Sequence, residues 1–185
     1  DPADLVAAGN DAALLPHLPR LLAMYPEGGL PNYVMALRYL HDGAYDRALP
    51  FAKSVVAIFP NLSLGYCAMG DALAGLGAWG PAIGAYRYAL RRAATPQDTW
   101  ALRERIGAAY ARHGEYREAY RVLATVARAF RPQVTPDELV RFAEVAWLSG
   151  HRAQARAVAT YLAEFKVAPN APAVQELSQF FLEHP

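Results

Sequence analysis

The sequence predicts an all-α fold built from repeated pairs of antiparallel helices. Apolar residues make up 54% of its 185 residues, and β-branched residues are scattered, which favours closely packed helices over sheets. Gly43, Gly77, Gly114 and Gly150 recur at intervals of 34, 37 and 36 residues. A small residue precedes each of these glycines by seven positions, which indicates that two helices cross closely once in every repeat.

Each recurring glycine marks the turn between the two helices of a pair. Glycine adopts left-handed backbone at little cost, as the chain must where a helix stops and reverses. Aromatic residues follow three of the glycines by two positions, at Tyr45, Trp79 and Tyr116. Helix pairs are therefore predicted near residues 30–41 with 45–59, 62–75 with 79–93, 98–112 with 116–130, and 136–149 with 152–166.

The two ends of the array depart from this regular pattern. Gly9 lies 34 residues before the first of the turn glycines, so a lone second helix is predicted near 11–25. A final helix near 171–183 has apolar residues at helical spacing and is expected to cap the last repeat. We expect residues 95–98 to form a loop insertion, which accounts for the longest interval between glycines.

This pattern resembles the tetratricopeptide repeat (TPR), a helix–turn–helix unit of 34 residues, over about residues 3–167. The resemblance implies a right-handed superhelical stack of antiparallel helix pairs, an α-solenoid, with a C-terminal capping helix. It implies one domain, 1–185. Its parts are a partial repeat at 1–28, repeats at about 29–62, 63–96, 100–133 and 136–169, and the capping helix at 171–183.

Charge gives no reason to expect a nucleic-acid partner. The net charge is only +1, although residues 87–131 contain ten arginines and four acidic residues. Arginine is a good helix former, and a charged block within helices is usually a solvated surface. The sequence therefore predicts no binding of nucleic acid.

Three features of the sequence bear on compartment and processing. Cys67 is the single cysteine, so an intrachain disulfide is excluded, and a cytoplasmic protein is expected rather than an exported one. No run of 18 apolar residues is present, so no membrane insertion is predicted. The chain begins at Asp1 without a methionine, which we interpret as a processed chain or a piece of a longer protein.

No catalytic, metal or cofactor site is predicted. The G-x-G-x-x-G pattern at 75–80 follows a predicted helix, whereas nucleotide binding requires it to follow a strand. Three histidines, His41, His113 and His151, lie at turns without the convergent ligands that a metal needs. Cys67 has no histidine close in sequence to activate it. We therefore expect a protein that is not an enzyme.

In the TPR family, the first helices of the pairs line a concave groove that binds extended peptides or partner helices. The repeat register carries this groove over to Tyr33, Leu37, Leu40, Asp71, Arg105, Arg112, Arg141, Glu144 and Trp147. Such a groove is apolar towards the N-terminus and charged towards the C-terminus. The implied partner is an amphipathic protein or peptide, with apolar anchors at one end and acidic groups at the other.

Two alternatives for these residues stay open at this point. Tyr33, Leu37 and Leu40 are instead covered if a missing first helix or a neighbouring domain packs on them. Trp147 is instead a packing residue if it lies in the interface between repeats. Chaperone tails are not an expected ligand, because Tyr33 and Leu37 occupy the places where chaperone-binding members of the family have lysine and asparagine.

The resulting functional hypothesis is a non-catalytic scaffold for protein–protein interaction. One alternative is an accessory or regulatory domain of a larger enzyme or of a secretion or transport assembly. Another is a self-association module, in which the apolar face of an incomplete N-terminal repeat pairs with its own copy to form a homo-oligomer.

Overall fold

The computed structural model describes residues 28–129, 135–162 and 172–184. Within these ranges the chain forms nine helices and no strand, which confirms the predicted all-α fold class. The helices are α1 Gly29–His41, α2 Tyr45–Ile58, α3 Ser63–Gly75, α4 Trp79–Leu90, α5 Pro96–Arg112, α6 Tyr116–Ala129, α7 Pro136–Leu148, α8 Arg152–Tyr161 and α9 Pro172–Glu183. The helix predicted near 11–25 lies outside the described residues.

The turn glycines have the left-handed backbone that the sequence predicts. Their φ angles are 70°, 73°, 85° and 90° for Gly43, Gly77, Gly114 and Gly150. At the first turn, the Ala44 N–H donates to the Tyr39 carbonyl at 2.9 Å, and the other three turns repeat this bond. It satisfies a carbonyl at the end of the first helix, so each glycine ends one helix and starts the reversal.

Two compact units make up the chain, Asp1–Leu102 and Arg103–Pro185, here called the N-terminal and C-terminal units. In the N-terminal unit, Ala36, Ala52 and Ala68 form a buried cluster with one residue from each of α1, α2 and α3. Alanine leaves room for helix backbones to approach closely, and larger residues pack around the cluster. These partly buried residues are Tyr33, Leu40, Phe51 and Met69.

The contact between α3 and α4 depends on a glycine. A Cβ atom placed on Gly70 would lie 2.5 Å from Cδ1 of Tyr86, far closer than carbon atoms can approach. The Tyr86 side chain is 3% exposed, and its hydroxyl donates to Asp71 Oδ1 at 2.8 Å. The ring is therefore held both by packing and by a hydrogen bond, so only glycine fits at position 70.

In the C-terminal unit, α9 packs on the last helix pair. Leu177 is 2% exposed and belongs to the same buried cluster as Val140, Ala143 and Ala155. Burial of such a leucine stabilises the folded state by about 1.5–3 kcal/mol, which accounts for the docking of a helix this short. The apolar spacing in the sequence thus gives α9 a buried face.

The expected loop insertion at 95–98 is wrong, because the last three of these residues form the first turn of α5. The Asp98 N–H donates to Thr95 Oγ1 at 3.1 Å, and Asp98 Oδ2 accepts from the Thr95 N–H at 3.3 Å. Pro96 takes the first helical position, where its missing N–H costs no hydrogen bond. The extra residues therefore lengthen α5 to 17 residues.

Candidate partner-binding surfaces

In the N-terminal unit, three predicted residues lie along one face of α1. Tyr33, Leu37 and Leu40 are four and three positions apart, the spacing of neighbours on a helix surface. Tyr33 and Leu40 are half-buried against the alanine cluster, whereas Leu37 is 37% exposed. Of these three residues, Leu37 has the largest exposed fraction.

Leu40 and Asp71 line one open pocket of about 520 Å³. The other lining residues come from α1, α2, α3 and α4: His41, Tyr45, Ala74, Gly75, Trp79 and Tyr86. Asp71 is half-buried, and the hydrogen bond from Tyr86 fixes its carboxylate. The pocket therefore has largely apolar and aromatic walls with one oriented carboxylate.

In the C-terminal unit, charged candidates lie on α7 and on the part of α5 that begins at Arg103. Arg141 Nη1 donates to Glu104 Oε1 at 2.8 Å, and the Arg141 side chain is 43% exposed. Burial raises the pKa of Glu104, and so do the charge and hydrogen bond of Glu138, against the opposing effect of Arg141. Arg141 thus opposes the rise in the pKa of Glu104 and keeps nearly half of its side chain accessible.

Glu144 shares this electrostatic environment. Burial is the main cause that raises its pKa, and the Glu176 carboxylate adds to the effect. The charges of Arg141, Arg112 and His184 oppose it. The structure therefore brings both Arg112 and Arg141 within electrostatic range of Glu144. Arg112 is exposed at the end of α5, and Arg105, also exposed, lies two turns earlier.

Trp147 packs inside the C-terminal unit. It is 8% exposed, its indole N–H donates to the His184 carbonyl at 2.6 Å, and its ring centroid lies 4.6 Å from that of Phe181. The Arg152 guanidinium lies 4.8 Å from the ring. These contacts leave Trp147 little surface for a partner. Trp147 is therefore better described as a packing residue than as a residue of the groove.

Sequence reasoning missed Glu138 and Glu176 as neighbours of the charged candidates. Thr135 and Glu138 form a capping box at the start of α7, a local role that the spacing in the sequence can reveal. The effect of Glu138 on Glu104 depends on how α5 packs against α7. Glu176 affects Glu144 only because α9 docks on α7, and no signal in the sequence places these two residues together.

Over the described ranges, no group of three or more His, Cys, Asp or Glu side chains is placed to hold a metal ion. None of the helices that the structure describes is both long enough and apolar enough to cross a bilayer.

No protein-family model matches this sequence, and no curated protein matches it in sequence. Solved structures do match. MamA from Desulfovibrio magneticus RS-1, from position 41 to its end, has a TM-score of 0.71 and 15% identity, over 96% of this chain and 91% of that one. A thermophilic TPR protein of Thermus thermophilus has a TM-score of 0.64 and 23% identity, over 98% of this chain and 95% of that one.

A third match is a chain of the APC/C hetero-tetramer Cut9–Hcn1, with a TM-score of 0.66 and 18% identity. It covers 96% of this chain but 31% of that one, so our chain spans about a third of its length. Identities this low show the fold alone. Together with the turn glycines and paired helices, these structures show that the chain has the tetratricopeptide-repeat fold.

Proposed function

We propose that this chain is a non-catalytic scaffold that binds a partner protein or peptide through the first helices of its pairs. The observation that carries this proposal is the open pocket of the N-terminal unit, which contains Leu40 and Asp71 at positions that the repeat register assigns to the groove. A chain of the Cut9–Hcn1 hetero-tetramer shares the fold and belongs to a protein assembly, which supports the same class of function.

The partner that fits these surfaces is amphipathic. Exposed Leu37 and the aromatic walls around Leu40 suit an apolar anchor, since burying such a side chain contributes about 1.5–3 kcal/mol. Arg112 and Arg105 suit acidic groups, because a guanidinium binds a carboxylate through two parallel hydrogen bonds. Arg141 contributes less to binding such acidic groups, because Glu104 already accepts a hydrogen bond from one of its N–H groups.

The experiment that tests this proposal is affinity capture from the native source with the full chain as bait. The variant Arg105→Glu/Arg112→Glu reverses two charges on α5. Arg117→Glu/Arg121→Glu makes the same change on α6, at exposed positions of a second helix. We expect one partner to be captured by the parent and by the α6 variant but not by the α5 variant.

A second pair of variants tests the apolar surface. Leu37→Ser changes the exposed leucine on α1, and Leu76→Ser changes a leucine that is 47% exposed in the turn after α3. When the captured partner is titrated, Leu37→Ser should bind it more weakly than the parent does. Leu76→Ser should bind it as the parent does. Equal binding by all four variants would contradict the groove proposal, and capture of only a second copy of this chain would support self-association instead.

A further inference from the structure

The N-terminal unit has a second surface feature, where α3 begins and α4 ends. Tyr66 on α3 stacks on Tyr88 of α4, with ring centroids 5.4 Å apart and planes inclined by 14°. The Arg91 guanidinium lies 4.2 Å from the centre of the Tyr88 ring. Arg92 lies 5.3 Å from the Tyr66 ring and 5.6 Å from the Tyr88 ring. We call these four residues the Arg–Tyr cluster.

The helices themselves hold this cluster in place. Arg91 and Arg92 lie in the turn that directly follows α4, and Arg92 Nη1 donates to the Tyr88 carbonyl at 3.4 Å. Ser63 Oγ at the start of α3 donates to the Ala89 carbonyl of α4 at 3.0 Å, which links the two helix ends. The arginines are therefore ordered before any ligand binds, which reduces the entropy lost on binding.

The cluster is exposed and positively charged. Tyr88 is 48% exposed, Arg91 is exposed and Arg92 is half-buried. Among the described residues, no ion pair joins Arg91 or Arg92 to a carboxylate. Asp98, the acidic residue nearest in sequence, accepts hydrogen bonds from Thr95. Within the described part of the chain, two cations are thus held side by side with no acidic partner.

This arrangement suits the carboxylates of a protein better than it suits nucleic acid. A guanidinium over an aromatic ring keeps its N–H groups at its edge, where they can bind a carboxylate through two bonds. Nucleobases instead need an open aromatic face on which to stack. The faces of Tyr66 and Tyr88 already contact each other and the two guanidinium groups.

We propose that the Arg–Tyr cluster is a binding site for an acidic segment of a partner protein, whose Asp or Glu side chains contact Arg91 and Arg92. The site combines the end of α4, a second helix, with Tyr66 of α3, and it shares no residue with the proposed groove. It therefore gives the scaffold an additional point of attachment, and it stands whether or not the groove binds a peptide.

The test uses a fluorescein-labelled peptide of glutamates separated by glycines, titrated into the full chain at an ionic strength of about 0.15 M, where charges more than about 8 Å apart are largely screened. The matching glutamine peptide controls for charge. Arg91→Gln/Arg92→Gln should weaken binding about fivefold, because each exposed ion pair contributes modestly. Arg47→Gln/Lys53→Gln removes the same charge from exposed positions on α2 and should change binding by about twofold or less, as expected for distant screened charges.

Tyr88→Ala separates ordered arginines from mere positive charge. It keeps both arginines but removes the ring beneath them, so we expect binding about threefold weaker. Circular dichroism of every variant confirms that the helices are retained. Equal weakening by the α2 and cluster variants would overturn the proposal, and so would unchanged binding by Tyr88→Ala.

Two further arms identify the ligand class and the location. An oligothymidine that binds more tightly than the glutamate peptide would overturn the assignment to an acidic protein segment. Arg105→Gln/Arg112→Gln tests the groove in the same assay. Loss of peptide binding in that variant, with binding kept in Arg91→Gln/Arg92→Gln, would also overturn the proposed site.

Discussion

Replacing Gly70 with alanine tests the close crossing of α3 and α4. The added Cβ would lie 2.5 Å from Cδ1 of Tyr86, whereas carbon atoms in contact are about 3.5–4.0 Å apart. The Tyr86 ring has little freedom to move away, because it is 3% exposed and its hydroxyl is bonded to Asp71 at 2.8 Å. The backbone of α3 or the ring of Tyr86 must therefore shift.

Gly84 provides a matched control in the same unit. It lies inside α4, and a Cβ placed on it meets no atom within 4 Å. Gly84→Ala should therefore stabilise the fold by about 0.5–1 kcal/mol, the usual gain from removing a glycine inside a helix. Gly70→Ala has the same favourable effect on the helix, but overpacking against Tyr86 destabilises the fold by about 1–3 kcal/mol. We expect the two variants to differ by roughly 2 kcal/mol.

The assay is urea unfolding of the full chain, followed by circular dichroism. A midpoint below that of the parent for Gly70→Ala, and above it for Gly84→Ala, is the expected result. The double variant Gly70→Ala/Tyr86→Leu should lose less stability than the two single variants together, because the narrower side chain relieves the clash. Gly70→Ala as stable as Gly84→Ala would refute the close packing of α3 on α4.

Three further variants test the C-terminal unit. Leu177→Ala should destabilise the chain by about 3 kcal/mol and speed amide exchange in α9. Leu182→Ala, at a position that is 77% exposed, should change the stability by under about 0.5 kcal/mol. Equal effects of the two variants would contradict the docking of α9. Thr135→Ala removes the acceptor of the capping box and should cost about 1 kcal/mol in thermal unfolding, and an unchanged melting temperature would argue against the cap. Burial and the Glu176 charge raise the pKa of Glu144 above its usual 4.5. The protonated carboxyl group therefore favours the folded state below that pH, and this stabilisation is lost as the pH rises through the folded pKa. Glu144→Gln should therefore raise the urea midpoint at neutral pH and leave it nearly unchanged in acid, and a lower midpoint at neutral pH would refute the raised pKa.

The repeating part of the fold was predictable because its signals are local and periodic. Gly43 and its three equivalents are required by backbone conformation at each turn, so their spacing sets where every pair of helices reverses. The start of α5 was not predicted correctly, because Pro96 by itself indicates a loop. Thr95 and Asp98 instead cap the helix through two hydrogen bonds. A capping pattern outweighs such a loop signal when proline occupies the first helical turn.

The candidate surfaces were predictable in part. Leu40 and Asp71 line one pocket because the repeat register places both on first helices. Trp147 has the same type of register position, yet α9 and His184 enclose it, and helix docking of this kind is a tertiary effect. The Arg–Tyr cluster needs Tyr66 to meet Tyr88 across two helices, which the sequence spacing alone does not show.

Hydrogen exchange of the full chain, with and without the captured partner, tests the central claim most directly. If first helices form the binding surface, the partner should slow amide exchange in α1, α3, α5 and α7. Exchange in α2, α6 and α8 should change little. Slowed exchange confined to the second helices, with none in the first, would contradict the proposed groove.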